Sequence, residues 1–527
     1  MLDNAVNLQS RYSPRGLLYF LLCFSVSLIG TGWADYILMS QDMASIVEFA
    51  QEMLRGKRLY VDLITSQPPL IMYLTMPALG IHTLTGIPIP EAFLLFLFLL
   101  FQGCVLLSWR IARRNTLCRT EAQSYLILLA LYCGVFILPS VGQRFLSTFS
   151  QREHLFCTLI LPYIMLMLNR LQGQEGSRGE NIAAGILGAI GFCIKPHFAL
   201  VFIFSEFFLV ITERRFLAWN RLDALLIMSL SLCYCLFIIF CTPEYLNLIP
   251  RFVLDYKGYE SLSWEPMFYN VDLSIVVPVI IVFRMRHSLH FKIVLFLLVL
   301  ICAGEVIFFA PKLFYFYHLF PVFFFSLLLF TFAKLASKEV KRMYLIMPLY
   351  FFYIFMQTDP VHVQHIIKRR EEILSEAAIL SQYKTICAFN TDNMLYFPMV
   401  IYAGAEWAMS PVYLEYLPNA YMRWSRVYKG QEAPYHSLEE MGENERFFHE
   451  IIIKDLQRLP DAIIIDESPL KPGFFKMRFD YLHYFMQDPR FREIWSHYEL
   501  VTRVHRKYSA SSNDPIDSGD AIYRRRD

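Results

Sequence analysis

The chain has 527 residues, 56% of them hydrophobic and only 18% charged, with a mean hydropathy of +0.40. A soluble protein carries about a quarter charged residues, so this composition excludes a soluble enzyme and describes a polytopic membrane protein. The net charge of +2 includes no basic stripe or tail beyond the final Arg-Arg-Arg, which argues against a nucleic-acid partner.

The N-terminus is polar, with Arg11 and Arg15. The apolar run 17–33 has no small-residue cleavage site after it, so it reads as a retained helix. A spanning helix needs about 20 apolar residues. The runs that qualify or come close are 17–33, 91–109, 122–139, 153–169, 182–195, 197–212, 223–242, 272–283, 291–310, 316–333 and 343–357, about 11 in all. Residues 69–85 are also apolar but are broken by Pro77, Gly80 and His82. With 69–85 taken as non-spanning, every basic loop falls on the side of the N-terminus: Arg110, Arg113, Arg114 and Arg119, then Arg170 and Arg178, Arg214, Arg215 and Arg221, Arg284, Arg286 and Lys292, and Lys334, Lys338, Lys341 and Arg342. The excess of Lys and Arg in cytoplasmic loops selects that choice. The outer face then holds 34–90, 140–152, the turn near 195–197, 243–271, 311–315 and everything after 358. Runs 182–195 and 272–283 are short, so they either tilt little in a thinned region or begin below the surface and leave a cavity.

The first outer segment, residues 33–70, reads WADYILMSQDMASIVEFAQEMLRGKRLYVDLITSQPPL, with acids at Asp35, Asp42, Glu48 and Glu52. It resembles the first periplasmic loop of GT-C glycosyltransferases, relatives of the lipid A aminoarabinose transferase and the protein O-mannosyltransferases. Their pattern is Asp-Glu, a helix ending Leu-x-Gly, Pro-Tyr-x-Asp, then Lys-Pro-Pro-Leu-x-Tyr-Tyr. Here Asp42 takes the Asp place, Leu54 and Gly56 the helix end, Tyr60 and Asp62 the next pair, and Pro68, Pro69, Leu70 and Tyr73 the last. Met43, Leu59 and Gln67 depart from the pattern. The resemblance implies the GT-C fold and transfer of a sugar from a polyprenyl phosphate, with inversion. The acceptor hydroxyl must lose a proton to a carboxylate within hydrogen-bond reach, and the departing phosphate needs positive charge. Asp42 is the expected base, against a competing role as a helix cap or solvated loop acid, and Asp35 is the runner-up. Glu48 and Glu52, four residues apart, read as a solvated helix face, and Asp62 as the brace of the turn after Gly56.

Three later places carry chemistry. In SQREHLF, Arg152, Glu153 and His154 stand where the chain re-enters lipid. Glu153 occupies the place of a second-loop acid that the resemblance assigns to orienting the base or holding a metal, and Arg152 and His154 are expected at the substrate, with an interfacial anchor as the competing reading. In IKPHF, Lys195 and His197 flank a proline in a turn too short for a free loop, and a lysine so close to hydrocarbon calls for an anion. Donor phosphate fits, as does headgroup snorkelling. In PKLFYFYHLFP, Lys312, Tyr317 and His318 match the basic residue and tyrosine that such enzymes place at the donor phosphate, although belt aromatics are the commoner use of Tyr there. A divalent metal, Mg or Mn, is the cofactor the resemblance allows, with Asp42 and Glu153 to hold it.

After residue 370 charge rises and apolar runs shorten. The spacing predicts an amphipathic helix in IIKRREEILSEAAILSQY, strands at TICAF and DAIIIDE, a helix over YHSLEEMGENERFFHEIIIKDLQRLP, and a strand pair from WSHYELVTRVHRKYSAS and AIYRRR. No Gly-rich nucleotide fingerprint opens a helix there. The expectation is therefore a polytopic α-helical membrane protein with a GT-C transmembrane domain, 1–365, bearing outer-face loop helices in 34–90. A C-terminal mixed α/β soluble domain, 366–527, follows. Its place is the inner membrane, with a cytoplasmic N-terminus and with the active site and C-terminal domain in the periplasm. Its partners are a polyprenyl-phosphate-linked sugar, a glycan, lipid or protein acceptor, and the bilayer. A flippase for lipid-linked saccharide is the alternative, but apart from Glu206 and Glu305 the span middles lack the ionisable groups a transporter uses. A non-catalytic envelope assembly protein is the third reading.

Overall fold

The computed structural model describes residues 14–36, 38–140, 148–214, 219–256, 265–309, 316–336, 360–391, 396–425, 427–471, 473–474, 476–506 and 518–526. Among these, seven helices are long and apolar enough to cross a membrane: Gly16–Tyr36, Ile89–Ala112, Glu121–Ser140, Pro196–Glu213, Leu222–Cys241, Phe291–Phe309 and Tyr317–Ala336. They answer seven of the expected runs. Helices are required there because backbone groups in hydrocarbon have no other partner. The chain is a polytopic helical membrane protein. The expected run 343–357 lies outside the described residues.

The elements that frame the site are α1 (Pro14–Tyr36), α2 (Gln41–Leu54), α3 (Leu70–Thr85), α4 (Ile89–Ala112), α5 (Glu121–Tyr132), α6 (Arg152–Arg170) and α7 (Arg178–Cys193). They are followed by α8 (Ala199–Glu213), α9 (Leu222–Cys241), α10 (Pro243–Tyr256), α11 (Glu265–Arg284), α12 (Phe291–Phe309) and α13 (Phe320–Ala336). Helix α6 is buried along its whole length, as a helix apolar on all sides must be, and α4 and α7 pack on it. Helix α1 lies against a π turn at Cys133–Ile137. Gly30 makes this approach possible, since a Cβ there would meet the Phe136 carbonyl oxygen at 2.1 Å.

Helix α2 has Asp42 in its first turn, where a carboxylate complements the helix dipole. It stops at Gly56, whose φ of +98° belongs to glycine. The Asp62 side chain then accepts the Arg58 amide at 2.8 Å, the turn brace expected from the sequence. Helix α3 contains Pro77 and packs on α2 and α4. The ends of α1 and α3 lie at one end of the bundle: Tyr402 is within electrostatic reach of both Asp35, at the end of α1, and Glu91, at the start of α4. The other end of α4 meets the far end of α6 through Asn115 and Asn169, 3.0 Å apart. Residues 69–85 therefore begin and end at the same end of the bundle.

In the C-terminal part, α14 (Pro360–Leu380) leads into a five-stranded sheet of β1 (Thr385–Phe389), β2 (Glu406–Trp407), β3 (Ala462–Asp466), β4 (Tyr498–Arg506) and β5 (Ser518–Arg525), in the order β2-β1-β3-β5-β4. The first three are parallel, and β5 runs antiparallel to both β3 and β4. The central strands β1 and β3 are almost fully buried, which is why they read as unbroken apolar runs. Between the strands lie α15 (Tyr396–Ala403), α16 (Tyr416–Ala420) and α17 (Glu443–Leu456). The helix expected over YHSLEEMGENERFFHEIIIKDLQRLP forms only from Glu443. Gly442 breaks the run, and Ser437 caps a tight turn by donating its amide to the Glu440 carboxylate at 2.8 Å.

Candidate active site

Residues from four separate segments meet at the end of the bundle that carries α2. The Arg152 guanidinium, at the first position of α6, donates through Nη2 to Asp42 Oδ2 at 2.9 Å and through Nη1 to the Gln67 side-chain oxygen. Gln67 is held in turn, because Tyr60 donates its hydroxyl to the Gln67 carbonyl at 2.6 Å. The departure from lysine at this position has a physical sense here: glutamine accepts from Arg152, whereas lysine would repel it. Arg152 is nearly buried, with its side chain 6% exposed, while the Asp42 side chain keeps 19%.

Beside this pair, Glu153 is fully buried and its Oε1 accepts from Lys195 Nζ at 2.5 Å, with His318 Nε2 at 3.5 Å. Lys195 also lies 5.6 Å from the Phe198 ring centre and 5.8 Å from that of Tyr317, within cation–π range. Burial and the neighbouring Arg152 hold the Lys195 ammonium down to about 8, against the pull of Glu153 and Asp42. His197 feels Lys195, Glu153 and Arg152. Its Nε2 is buried with no hydrogen-bond partner. Two carboxylates, two fixed cations and two imidazoles thus share one locus, with aromatic walls on the lysine side.

The structure brings together Asp42, Arg152, Glu153, Lys195, His197, Tyr317 and His318, all singled out from the sequence. Two other residues fall elsewhere. His154 points into the core: its Nδ1 accepts the Ser150 amide at 3.1 Å and its Nε2 donates to the Val135 carbonyl at 2.8 Å. The rings of Phe101, Phe149 and Phe320 surround it at 4.6, 5.1 and 5.3 Å. Successive residues on a helix differ by about 100° in direction, so the triplet cannot all face one cavity, and the expectation of a substrate-binding His154 is corrected. Asp35 is exposed at the end of α1, with no recorded contact to this cluster among the described residues. Lys312 lies outside the described residues.

The reading of Glu48 and Glu52 as a solvated face is also overturned, since they are 0% and 1% exposed. Glu52 pairs with Arg55 and Lys57, and Glu48 accepts the Trp407 amide at 2.9 Å. The C-terminal region covers the face that the sequence left to water. The donor set does not fit a divalent cation: Asp42 is already held by Arg152 and Glu153 by Lys195. Among the described residues no three His, Cys, Asp or Glu side chains are placed to hold one metal ion.

No family model and no curated protein matches the chain. Among solved structures it is similar to the crystal structure of ArnT from Cupriavidus metallidurans in the apo state, with a TM-score of 0.51 at 13% identity over 96% of this chain and 98% of that one. The same protein bound to undecaprenyl phosphate matches with a TM-score of 0.45 at 12% identity, over 96% and 97% of the two chains. The likeness spans nearly the whole of both chains, and the fold of this protein is that of ArnT, the GT-C fold to which the motif around Asp42 pointed.

Proposed function

We propose that the chain is an integral-membrane, inverting glycosyltransferase that moves a sugar from a polyprenyl-phosphate donor to a glycan, lipid or protein acceptor. The observation that carries this is the pairing of Asp42 with Arg152 directly beside the Glu153–Lys195–His318 group. It sets a carboxylate able to take a proton next to cations able to hold a phosphate, at the end of a bundle of apolar helices.

In the proposed reaction the acceptor hydroxyl oxygen attacks the anomeric carbon as its proton passes to Asp42. The bond from that carbon to the phosphate oxygen breaks, and the electron pair leaves on the polyprenyl phosphate. Arg152 and Lys195 supply the positive charge, and His197 and His318 the hydrogen-bonding imidazoles, that stabilise the departing group, and Tyr317 lines the lysine. Lys312 belongs to the same proposal by sequence. The chain's own cations take the part a metal would have. Inner-membrane location, a cytoplasmic N-terminus, a periplasmic site and a separate soluble domain from 366 onward belong to this reading, supported by the basic loops of the opposite end. A transporter is disfavoured by Glu206, whose carboxylate is held by Arg221 at 2.7 Å and by the Tyr163 hydroxyl at 2.8 Å.

The test is turnover of a panel of polyprenyl-phosphate sugars by the purified protein. Asp42→Asn is expected to lower kcat by about 10²- to 10⁴-fold, the contribution of a positioned base, while undecaprenyl phosphate binding persists. Full activity of Asp42→Asn would remove the base from Asp42.

A further inference from the structure

Helix α2 is not held only by its neighbours in the bundle. Three hydrogen bonds tie the segment around Asp42 to one stretch of the C-terminal region. Ahead of Asp42, the Met39 amide donates to the Tyr402 hydroxyl at 3.3 Å. Beyond α2, the Ile64 amide donates to the Ser410 carbonyl at 2.7 Å. Between them, the Trp407 amide of β2 donates to Glu48 Oε1 at 2.9 Å. Trp407 is itself immobilised. It is fully buried, its indole donates to the Pro411 carbonyl at 3.0 Å, and its ring lies 4.6 Å from Phe397, which meets Phe49 at 6.3 Å. Ser410 is fixed by Asp455, which accepts from its amide at 2.6 Å and its hydroxyl at 3.0 Å.

Glu48 is the one member of this clamp whose side chain belongs to α2. Its other oxygen, Oε2, is buried with no hydrogen-bond partner. A buried ionised carboxylate with one bond is costly, and a leucine would fill the place more cheaply unless the bond to Trp407 matters. Glu48 stands six positions after Asp42, so it secures the helix that presents the proposed base to Arg152.

We propose that Glu48 is a positioning residue: its carboxyl bond to the Trp407 backbone fixes α2 on the C-terminal region and thereby seats Asp42 against Arg152. The role in catalysis rests on Asp42 acting as the base; the clamp itself does not. Burial pushes the Glu48 carboxyl up to about 7, opposed by the Trp407 amide, raised further by Glu52, and lowered by Arg55 and Lys57. Of the elements packed on α2, β2 brings Glu406, which pairs with Arg55 at 3.6 Å. Helix α15 has no charged residue, and the only imidazole of α3, His82, is bonded to the Ile87 carbonyl at 2.6 Å. A carboxyl raised in the docked state favours docking fully below its free value of 4.5, and that advantage is lost as pH rises through about 7. The two values make the docking constant fall about tenfold between roughly pH 6 and pH 8.

The experiment is hydrogen exchange of the 41–54 backbone amides in the purified full chain, for wild type, Glu48→Gln and Glu48→Leu, between roughly pH 6 and pH 8, with turnover measured alongside. After correction for the intrinsic pH dependence of exchange, wild type should lose about tenfold in protection across that interval. Glu48→Gln keeps an acceptor for Trp407 and carries no charge, so its protection should stay constant. Glu48→Leu should be weakly protected throughout. In turnover, Glu48→Leu should lower kcat with KM for the donor unchanged, and Glu48→Gln should restore it. Equal protection in wild type and Glu48→Leu overturns the clamp. Loosening of α2 with kcat unchanged overturns the positioning role. A wild-type protein that turns over no donor sinks the transferase reading and the positioning role with it, while the exchange measurement still decides whether Glu48 holds α2.

Discussion

Replacing Lys195 by methionine strands the Glu153 carboxylate in the protein interior. Glu153 is fully buried, its Oε1 lies 2.5 Å from Lys195 Nζ, and the His318 imidazole is 3.5 Å away. Its second oxygen has no hydrogen-bond partner, so once Lys195 is gone the Arg152 guanidinium acts on the charge only through space. Breaking a buried pair by removing one member costs about 3–5 kcal/mol, whereas replacing both members by apolar groups is often neutral. Lys195→Met alone is therefore expected to lower the unfolding free energy by about 3–5 kcal/mol, and Lys195→Met combined with Glu153→Leu to recover most of that loss. Thermal unfolding in one detergent, run on wild type, both single variants and the double variant, closes the cycle. The double variant should still bind undecaprenyl phosphate more weakly than wild type, because the fold is restored and the cation is not. If the two single losses simply add in the double variant, the pair is not coupled and the account of this site is wrong.

Arg152→Lys keeps the charge but not the fork that reaches Asp42 and Gln67 together. Its kcat should drop by about tenfold or more, and an unchanged kcat would show that the two-pronged contact does not orient the base. His154→Phe fills the same space among three aromatic rings but leaves the Ser150 amide and the Val135 carbonyl without partners. It should cost about 1–3 kcal/mol of stability with donor binding intact in the folded fraction, and a selective loss of binding would return His154 to the site. At α10, burial pushes the Asp255 carboxyl up to about 8, Glu415 adds to this, and the Asn444 bond and Arg251 oppose it. The stability this group contributes is full below its free value of 3.8 and is lost as pH rises through about 8. Asp255→Asn should flatten the decline of the thermal midpoint toward alkaline pH, and a variant that keeps the wild-type slope would refute the assignment.

The sequence by itself determined the membrane class and the position of seven apolar helices, because hydrocarbon imposes length and apolarity on each segment separately. It also singled out Asp42, Glu153, Lys195 and His318, which the fold brings together, since ionisable groups at the edge of hydrocarbon need partners. The strands β1 and β3 were legible for the same local cause, an apolar run bounded by turns. Only the tertiary structure decided which of these residues meet. Asp42 and Arg152 are 110 positions apart, and Glu48 and Trp407 are 359 apart. No periodicity within α2 reveals that its polar side will be covered by β2, so the spacing of Glu48 and Glu52 suggested water where the fold supplies protein. His154 failed for the complementary reason. Direction around α6 is set by what packs on each face, and the face of His154 belongs to Phe101, Phe149 and Phe320 rather than to Asp42 and Lys195, which Arg152 and Glu153 meet.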